Sequence, residues 1–116
     1  MKVTPILNDA PYGTERSYNA LRLARVLVRK EDTELRVFLM GDAVGCAVSG
    51  QTTPDGSYDL GTMIRSLARR GTSIGCCQTC MDARGITEGM LSAGAHRSSM
   101  HEPAEWTCWA ERIITF

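Results

Sequence analysis

The chain reads Thr-Ser-Ile-Gly-Cys-Cys-Gln-Thr-Cys-Met-Asp-Ala-Arg-Gly from residue 72 to residue 85. The first part of this stretch, residues 72–77, predicts a strand. Three of the five cysteines of the chain, Cys76, Cys77 and Cys80, lie where that strand ends. The chain then turns into a loop or a helix, and Arg84 follows a few residues later. A strand that ends in a cluster of thiols is where we expect any chemistry of this protein.

Apolar residues recur along the rest of the chain with the periods of strands and amphipathic helices. The predicted strands are residues 3–8, 35–40, 72–77 and 112–116, with residues 96–100 as a short strand or a loop. The predicted helices are residues 15–28, 43–48, 60–68, 86–93 and 103–111. Thr14, Asp42 and Asp59 are expected to cap the first three helices. Gly71 and Gly94 are expected to end the third and fourth helices.

This alternation of strands and helices predicts a sheet of mostly parallel strands with helices on both faces. We therefore expect residues 1–116 to form a single domain, a three-layer, Rossmann-like, doubly wound α/β sandwich. Residues 49–57 contain Gly, Pro, Thr and Asp and are predicted to form an exposed loop.

The composition excludes several classes of protein. The hydrophobic share of 43% and the charged share of 22% are those of a folded domain, and the formal net charge is zero. No basic field is present to attract nucleic acid. The first apolar run is too short for a signal peptide, and no run approaches the length of a membrane span. We therefore expect a cytoplasmic protein without a nucleic-acid or membrane partner.

Ligands of such sheets bind outside the carboxyl ends of the strands. Three predicted loops meet there, at residues 9–14, 41–42 and 77–85. The first loop has neither a GxGxxG pattern nor the Gly-Lys-Ser/Thr of a phosphate-binding loop, which argues against nucleotide binding. We expect no cofactor.

The thiols at the end of the third predicted strand have three interpretations. A single CxxC is a weak signal for zinc, since a structural site needs four ligands, and the spacing of His96 and His101 fits no familiar pattern. No metal is therefore expected. A dithiol oxidoreductase normally carries its CxxC earlier in the fold. The third interpretation is one reactive thiolate, Cys77, whose pKa a nearby guanidinium such as that of Arg84 would lower.

The other distinctive side chains are expected to be structural. Strand alternation places Cys76 on the opposite face from Cys77. Two further cysteines are expected among apolar residues of helices, two histidines at the surface, and two tryptophans in the core or a subunit interface. These residues are Cys46, Cys108, His96, His101, Trp106 and Trp109.

Several collinear motifs give the whole chain a resemblance to a known family. The motifs are residues 8–15 (Asn-Asp-Ala-Pro-Tyr-Gly-Thr-Glu), 21–24, 38–44, 50–51, 77–86 (Cys-Gln-Thr-Cys-Met-Asp-Ala-Arg-Gly-Ile) and 113–116. On these motifs the chain resembles the DsrE/DsrF-like family, and within it the small YchN-type members. The resemblance implies a Rossmann-like fold and a homo-oligomer, usually a trimer or a hexamer.

The resemblance also implies a sulfur-relay role, in which a cysteine accepts sulfane sulfur as a persulfide and passes it to a partner protein. That cysteine corresponds to Cys77, with Arg84 beside it, and Cys80 would resolve the persulfide or line the pocket. The expected pocket-lining residues are Pro11, Tyr12, Gly13, Asp42 and Gly85. A non-catalytic oligomeric binding module and a CxxC dithiol redox protein are the alternatives.

Overall fold

Strands and helices alternate in a computed structural model that describes residues 1–53 and 59–116. The strands in these two ranges are β1 (Lys2–Leu7), β2 (Glu34–Leu39), β3 (Ser73–Cys77), β4 (Ala95–Ser98) and β5 (Arg112–Thr115). The helices are α1 (Arg16–Leu27), α2 (Leu60–Arg69), α3 (Gln78–Asp82) and α4 (His101–Trp109), with 3-10 helices at Gly41–Ala47 and Glu88–Met90. Of the loop predicted at residues 49–57, residues 54–57 lie outside the described residues.

The five strands form one sheet in the order β4-β3-β2-β1-β5, and every neighbouring pair is parallel. The connections from β1 to β4 proceed in one direction across the sheet, whereas the connection through α4 returns to the opposite edge. Because such crossovers are right-handed, α1 and α2 cover one face and α4 covers the other. The predicted α/β sandwich is confirmed.

The core lies on both faces of the sheet, and strand alternation divides it between them. Val37 and Leu39 point towards α1 and α2 and are fully buried. Phe38 points the other way, where its ring meets Trp106 of α4 edge-on at 6.2 Å between ring centres. The central strand β2 is therefore covered on both faces, as its apolar sequence predicts.

The predicted helix boundaries are partly right. Asp59 caps α2, since its carboxylate accepts from the N–H of Thr62 at 3.0 Å. Gly71 ends the same helix with a φ of +88°. The predicted cap at Thr14 is wrong, because its hydroxyl donates to Asp9 and α1 begins at residue 16. The predicted cap at Asp42 is also wrong, since the 3-10 helix there starts at residue 41 without a side-chain cap.

The helix predicted at residues 86–93 is wrong, and a longer-range interaction explains why. The segment makes only the 3-10 helix Glu88–Met90. The N–H of Ser92 donates to the carbonyl of Ala47, and the carbonyl of Met90 accepts from the N–H of Ser49. The backbone groups that a helix would pair internally are thus taken by residues 47–49, including an antiparallel bridge between Val48 and Leu91.

Gly94 lets the segment before β4 approach α2. Its φ is +93°, and an added Cβ would lie 2.2 Å from the Cβ of Ala68. We expect Gly94→Ala to lower the free energy of unfolding by about 2–4 kcal/mol, from backbone strain and steric overlap together. Chemical denaturation measures this value.

The matched control is Gly89→Ala, because an added Cβ at Gly89 meets nothing within 4 Å. Ala68→Gly should cost about 1 kcal/mol alone and relieve the overlap when combined with Gly94→Ala. Strictly additive effects of the two changes would contradict the steric explanation.

Candidate functional site

The thiol cluster lies at the carboxyl edge of the sheet. Cys76 pairs with Leu39 of β2, and Cys77, the last residue of β3, pairs with Ser98 of β4. The chain turns into α3 directly after Cys77. The Cys77 residue is only 4% exposed, although it stands at the end of a strand.

The Cys77 thiol is surrounded by donors that favour its ionised form. Its Sγ lies 3.5 Å from the hydroxyl of Thr79. Burial alone would raise the pKa of Cys77, but the side chains of Cys80 and Thr79, followed by the backbone N–H groups of the same two residues, outweigh burial and lower that pKa. Cys77 is therefore the member of the CxxC pair that ionises first.

Cys80 is the other thiol of the CxxC pair, and its pKa is raised. Burial is the largest cause that raises the pKa of Cys80, and its hydrogen bond to Cys77 raises that pKa further. The backbone N–H of Gly41 donates to the Cys80 Sγ at 3.2 Å and opposes the rise, as does the charge of Arg84. The two sulfurs thus have different roles: the pair favours the ionised form of Cys77 and the protonated form of Cys80, while Gly41 fixes the Cys80 sulfur from the adjacent loop.

Arg84 joins the loop after α3 to the 3-10 helix after β2. Its Nε and Nη2 both donate to Oδ1 of Asp42, at 3.1 and 2.7 Å, and its Nη1 donates to the carbonyl of Cys80 at 3.0 Å. The structure therefore brings together the predicted residues Asp42, Cys80 and Arg84. The guanidinium acts on Cys80, and a direct interaction between Arg84 and a sulfur on Cys77 stays a prediction.

Pro11 and Gly13 belong to the loop after β1. Pro11 packs on the 3-10 helix, where an added Cβ at Gly45 would lie 3.4 Å from the proline Cδ. Gly13 and Gly85 are exposed and have positive φ angles, +103° and +65°. These residues shape the loops at the carboxyl edge of the sheet.

Tyr12 belongs to the same loop and is 41% exposed. Partial burial raises the pKa of its phenol, and the charges of Asp59 and Cys46 raise it further. The groups that act on Tyr12 are thus those at the start of α2 and in the 3-10 helix, rather than the pair of Cys77 and Cys80. Its place in a pocket around Cys77 stays a prediction.

Comparison with known proteins identifies relatives over the whole chain. The sequence model of the DsrE/DsrF-like family matches residues 1–116. The chain belongs to the DsrE/DsrF-like family. It is 38% identical to protein YchN of Escherichia coli K12 over 116 residues, which cover 99% of this chain and 98% of YchN. It is also 32% identical to the uncharacterized protein MJ0989 of Methanocaldococcus jannaschii, over the full length of both chains.

Solved structures show the same fold. The crystal structure of ychN protein from E. coli superposes with a TM-score of 0.94 and covers 100% of this chain and 99% of that chain. A protein of unknown function from Methanobacterium thermoautotrophicum, MTH1491, has a TM-score of 0.73 at 18% identity, with 99% of this chain and 97% of that chain covered. The second likeness concerns the fold alone.

Two other cysteines of this DsrE/DsrF-like chain are unsuited to ionisation. Cys46 and Cys76 are fully buried, and burial is the largest cause that raises the pKa of each thiol to about 12. Cys76 faces away from Cys77, as strand alternation predicts. Cys108, in contrast, is exposed, so its expected place among apolar residues is wrong. Only one edge of α4 packs on the sheet, through Pro103 and Trp106.

A polar cluster beside the thiols was missed in the sequence. The carboxylate of Glu102 pairs with His96 and accepts from the hydroxyl of Ser98 at 3.0 Å. An added Cβ at Gly75 would lie 2.9 Å from the same carboxylate. The cluster therefore lies on the face of the sheet that Cys77 also uses, two residues along β3. Alternation of His96 and Ser98 on one strand was the available signal.

No three His, Cys, Asp or Glu side chains are grouped as metal ligands within residues 1–53 and 59–116. In the same ranges, no helix has the length and apolar character needed to cross a membrane.

The pKa of Cys77 provides a direct test of this site. We expect alkylation of Cys77 to titrate at a lower pH than alkylation of a free cysteine peptide, as followed by mass spectrometry of each cysteine. Below its pKa the thiol gains a proton and the rate falls. Cys80→Ala removes the largest stabilising hydrogen bond and should move the titration to higher pH.

Thr79→Val, which removes the hydroxyl and keeps the shape, should shift the titration in the same direction by a smaller amount. Cys108→Ser is the matched control and should leave the titration of Cys77 unchanged. If Cys77 in the wild-type protein titrates like a free peptide, the proposed thiolate stabilisation is wrong.

Proposed function

We propose that this protein is a sulfur-relay protein in which Cys77 accepts sulfane sulfur as a persulfide. The observation that carries the proposal is the lowered pKa of Cys77. Burial raises this pKa, but the side chains of Cys80 and Thr79 lower it by more. A thiolate is the nucleophile in sulfur transfer, and such pKa values mark functional cysteines. Membership of the DsrE/DsrF-like family supports a role of this general type.

The transfer is a balanced exchange between thiolates. The Cys77 thiolate attacks the outer sulfur of a donor persulfide, R–S–SH. The S–S bond of the donor breaks, R–S⁻ leaves, and Cys77 becomes Cys77–S–SH. An acceptor thiolate then attacks the outer sulfur of Cys77–S–SH and takes the S–H group, and the Cys77 thiolate is regenerated. No external oxidant or reductant is needed in either step.

The near-complete burial of Cys77 favours this chemistry. A persulfide in water exchanges with any thiol that reaches it, whereas a residue that is 4% exposed exchanges more slowly with small thiols. We propose that donor and acceptor proteins reach the sulfur by displacing the loop that Arg84 and Asp42 hold together. The pair is largely exposed, so its opening costs little free energy, about 0–1 kcal/mol.

Loading of the protein with sulfur tests the proposal. After incubation with glutathione persulfide, intact mass spectrometry should show one added sulfur atom in the wild-type protein, and peptide mapping should place it on Cys77. Cys108→Ser removes an exposed thiol and should load equally. Cys77→Ser should not load. Equal loading of the Cys77→Ser variant would contradict the assignment.

The influence of the Cys80 side chain on the pKa of Cys77 favours a second candidate, a dithiol redox protein. In that case, Cys80 attacks the inner sulfur of Cys77–S–SH, HS⁻ leaves, and a Cys77–Cys80 disulfide forms. Cys80→Ser separates the two functions. A relay protein keeps the persulfide on Cys77 in the wild-type protein and in Cys80→Ser. A redox protein releases sulfide only when Cys80 is present, and its disulfide has a measurable reduction potential.

We further propose that the protein acts in the cytoplasm as a homo-oligomer, a trimer or a hexamer. The outer surface of α1 supports association, since Leu23 and Val26 are 39% and 54% exposed there. Sedimentation equilibrium of the wild-type protein measures the assembly. A monomer at all concentrations would favour a role without subunit contacts, and a non-catalytic binding module would show a Cys77 no more reactive than a free peptide.

A further inference from the structure

A cleft of about 240 Å³ lies at the amino ends of the strands, at the opposite edge of the sheet from Cys77. We call it the amino-end cleft. The lining residues used below are Glu34, Arg36, Arg70, Thr72, Ser73 and Trp109. Glu34 and Ser73 are the first residues of β2 and β3, whereas Cys77 is the last residue of β3. The cleft is therefore separate from the thiol site.

Within residues 1–53 and 59–116, the two arginines of the amino-end cleft have no acidic partner. Within the described ranges, ion pairs closer than 4.0 Å engage the arginines at positions 16, 84 and 97 and neither Arg36 nor Arg70. The guanidinium of Arg36 is fixed in another way, since its Cζ lies 3.9 Å from the ring centre of Trp109. Stacking of this kind orients the guanidinium plane and leaves its edge available to hydrogen-bond acceptors.

Thr72 also lies in the lining of the amino-end cleft. Its hydroxyl is enclosed by protein atoms. An anion in the cleft is therefore held by the arginines rather than by Thr72. Ser73 adds a further hydroxyl beside it in the lining.

We propose that the amino-end cleft binds a small oxyanion, a carboxylate or a phosphate, between Arg36 and Arg70. Planar guanidinium groups bind both kinds of anion through paired N–H donors. The cleft, at about 240 Å³, is smaller than the pockets of about 300–1,000 Å³ that hold drug-sized ligands, so it suits a compact anion. This site is independent of the proposed sulfur chemistry.

Glu34 allows a prediction of whether the removal of a charge strengthens or weakens anion binding in the cleft. It is the acid in the lining of the amino-end cleft, and its carboxylate repels an incoming anion. Removal of this charge should therefore strengthen binding, and removal of an arginine should weaken it. Removal of an arginine elsewhere on the chain changes the net charge by the same amount, so it separates a specific site from general attraction.

Titration with pyrophosphate and, separately, with citrate tests the proposal by isothermal calorimetry and by amide chemical shifts. We expect saturable binding of at least one anion, with shifts at the starts of β2 and β3. Arg36→Met and Arg70→Met keep much of the apolar stem and should each raise the Kd about tenfold or more. Glu34→Gln should lower the Kd. The preferred anion tells whether the ligand is a phosphate or a carboxylate.

Arg22→Met is the matched control, since Arg22 is exposed on α1, where it donates to Oδ1 of Asn19 and lies over the ring of Tyr18. It should bind like the wild-type protein, and so should Cys77→Ser. Thermal denaturation checks that each variant is folded. Failure of both anions to saturate, or an unchanged Kd in folded Arg36→Met and Arg70→Met, would overturn the proposal. So would loss of binding in Cys77→Ser, because the anion would then occupy the thiol site.

Discussion

The parallel register between β2 and β3 determines where every thiol of the site lies. Because Leu39 pairs with Cys76, the two strands end at the same edge, and the loop after β2 passes over the start of α3. The backbone N–H of Gly41 can therefore reach the sulfur of Cys80, 39 residues away in the chain. A shift of one residue in this register would turn Cys77 to the other face and separate these groups.

Neighbouring cysteines in this register have opposite acid–base properties. Cys76 and Cys77 are both buried, yet burial raises the pKa of Cys76 to about 12, whereas the pKa of Cys77 is lowered. Desolvation acts on both thiols in the same direction. Cys77 lies less deeply than Cys76, and the chain turns after Cys77 and brings the side chains of Thr79 and Cys80 to its sulfur. Weaker desolvation and these donors together distinguish the two residues.

The sequence predicts the local features of this fold better than the distant ones. Patterns within a few residues predict the strands, the cap at Asp59 and the placement of Cys77 on the opposite face from Cys76. The structure agrees with these predictions. The failed helix at residues 86–93 and the failed cap at Asp42 share another cause. Each segment finds its partner far along the chain, at residues 47–49 and at Arg84. Spacing in a sequence carries no information on such pairs.

The zero net charge of the chain conceals an uneven distribution between the two ends of the sheet. At the carboxyl edge, Arg84 is neutralised by Asp42 and Arg97 by Asp82, so the thiols lie among compensated charges. At the amino edge, Arg36 is held by an aromatic ring, which orients the cation without cancelling its charge. A compensated edge suits transfer between thiolates, since the local field changes little when sulfur leaves. An uncompensated edge instead suits the anion that we propose for the amino-end cleft, so the two proposed sites lie at opposite ends of one sheet.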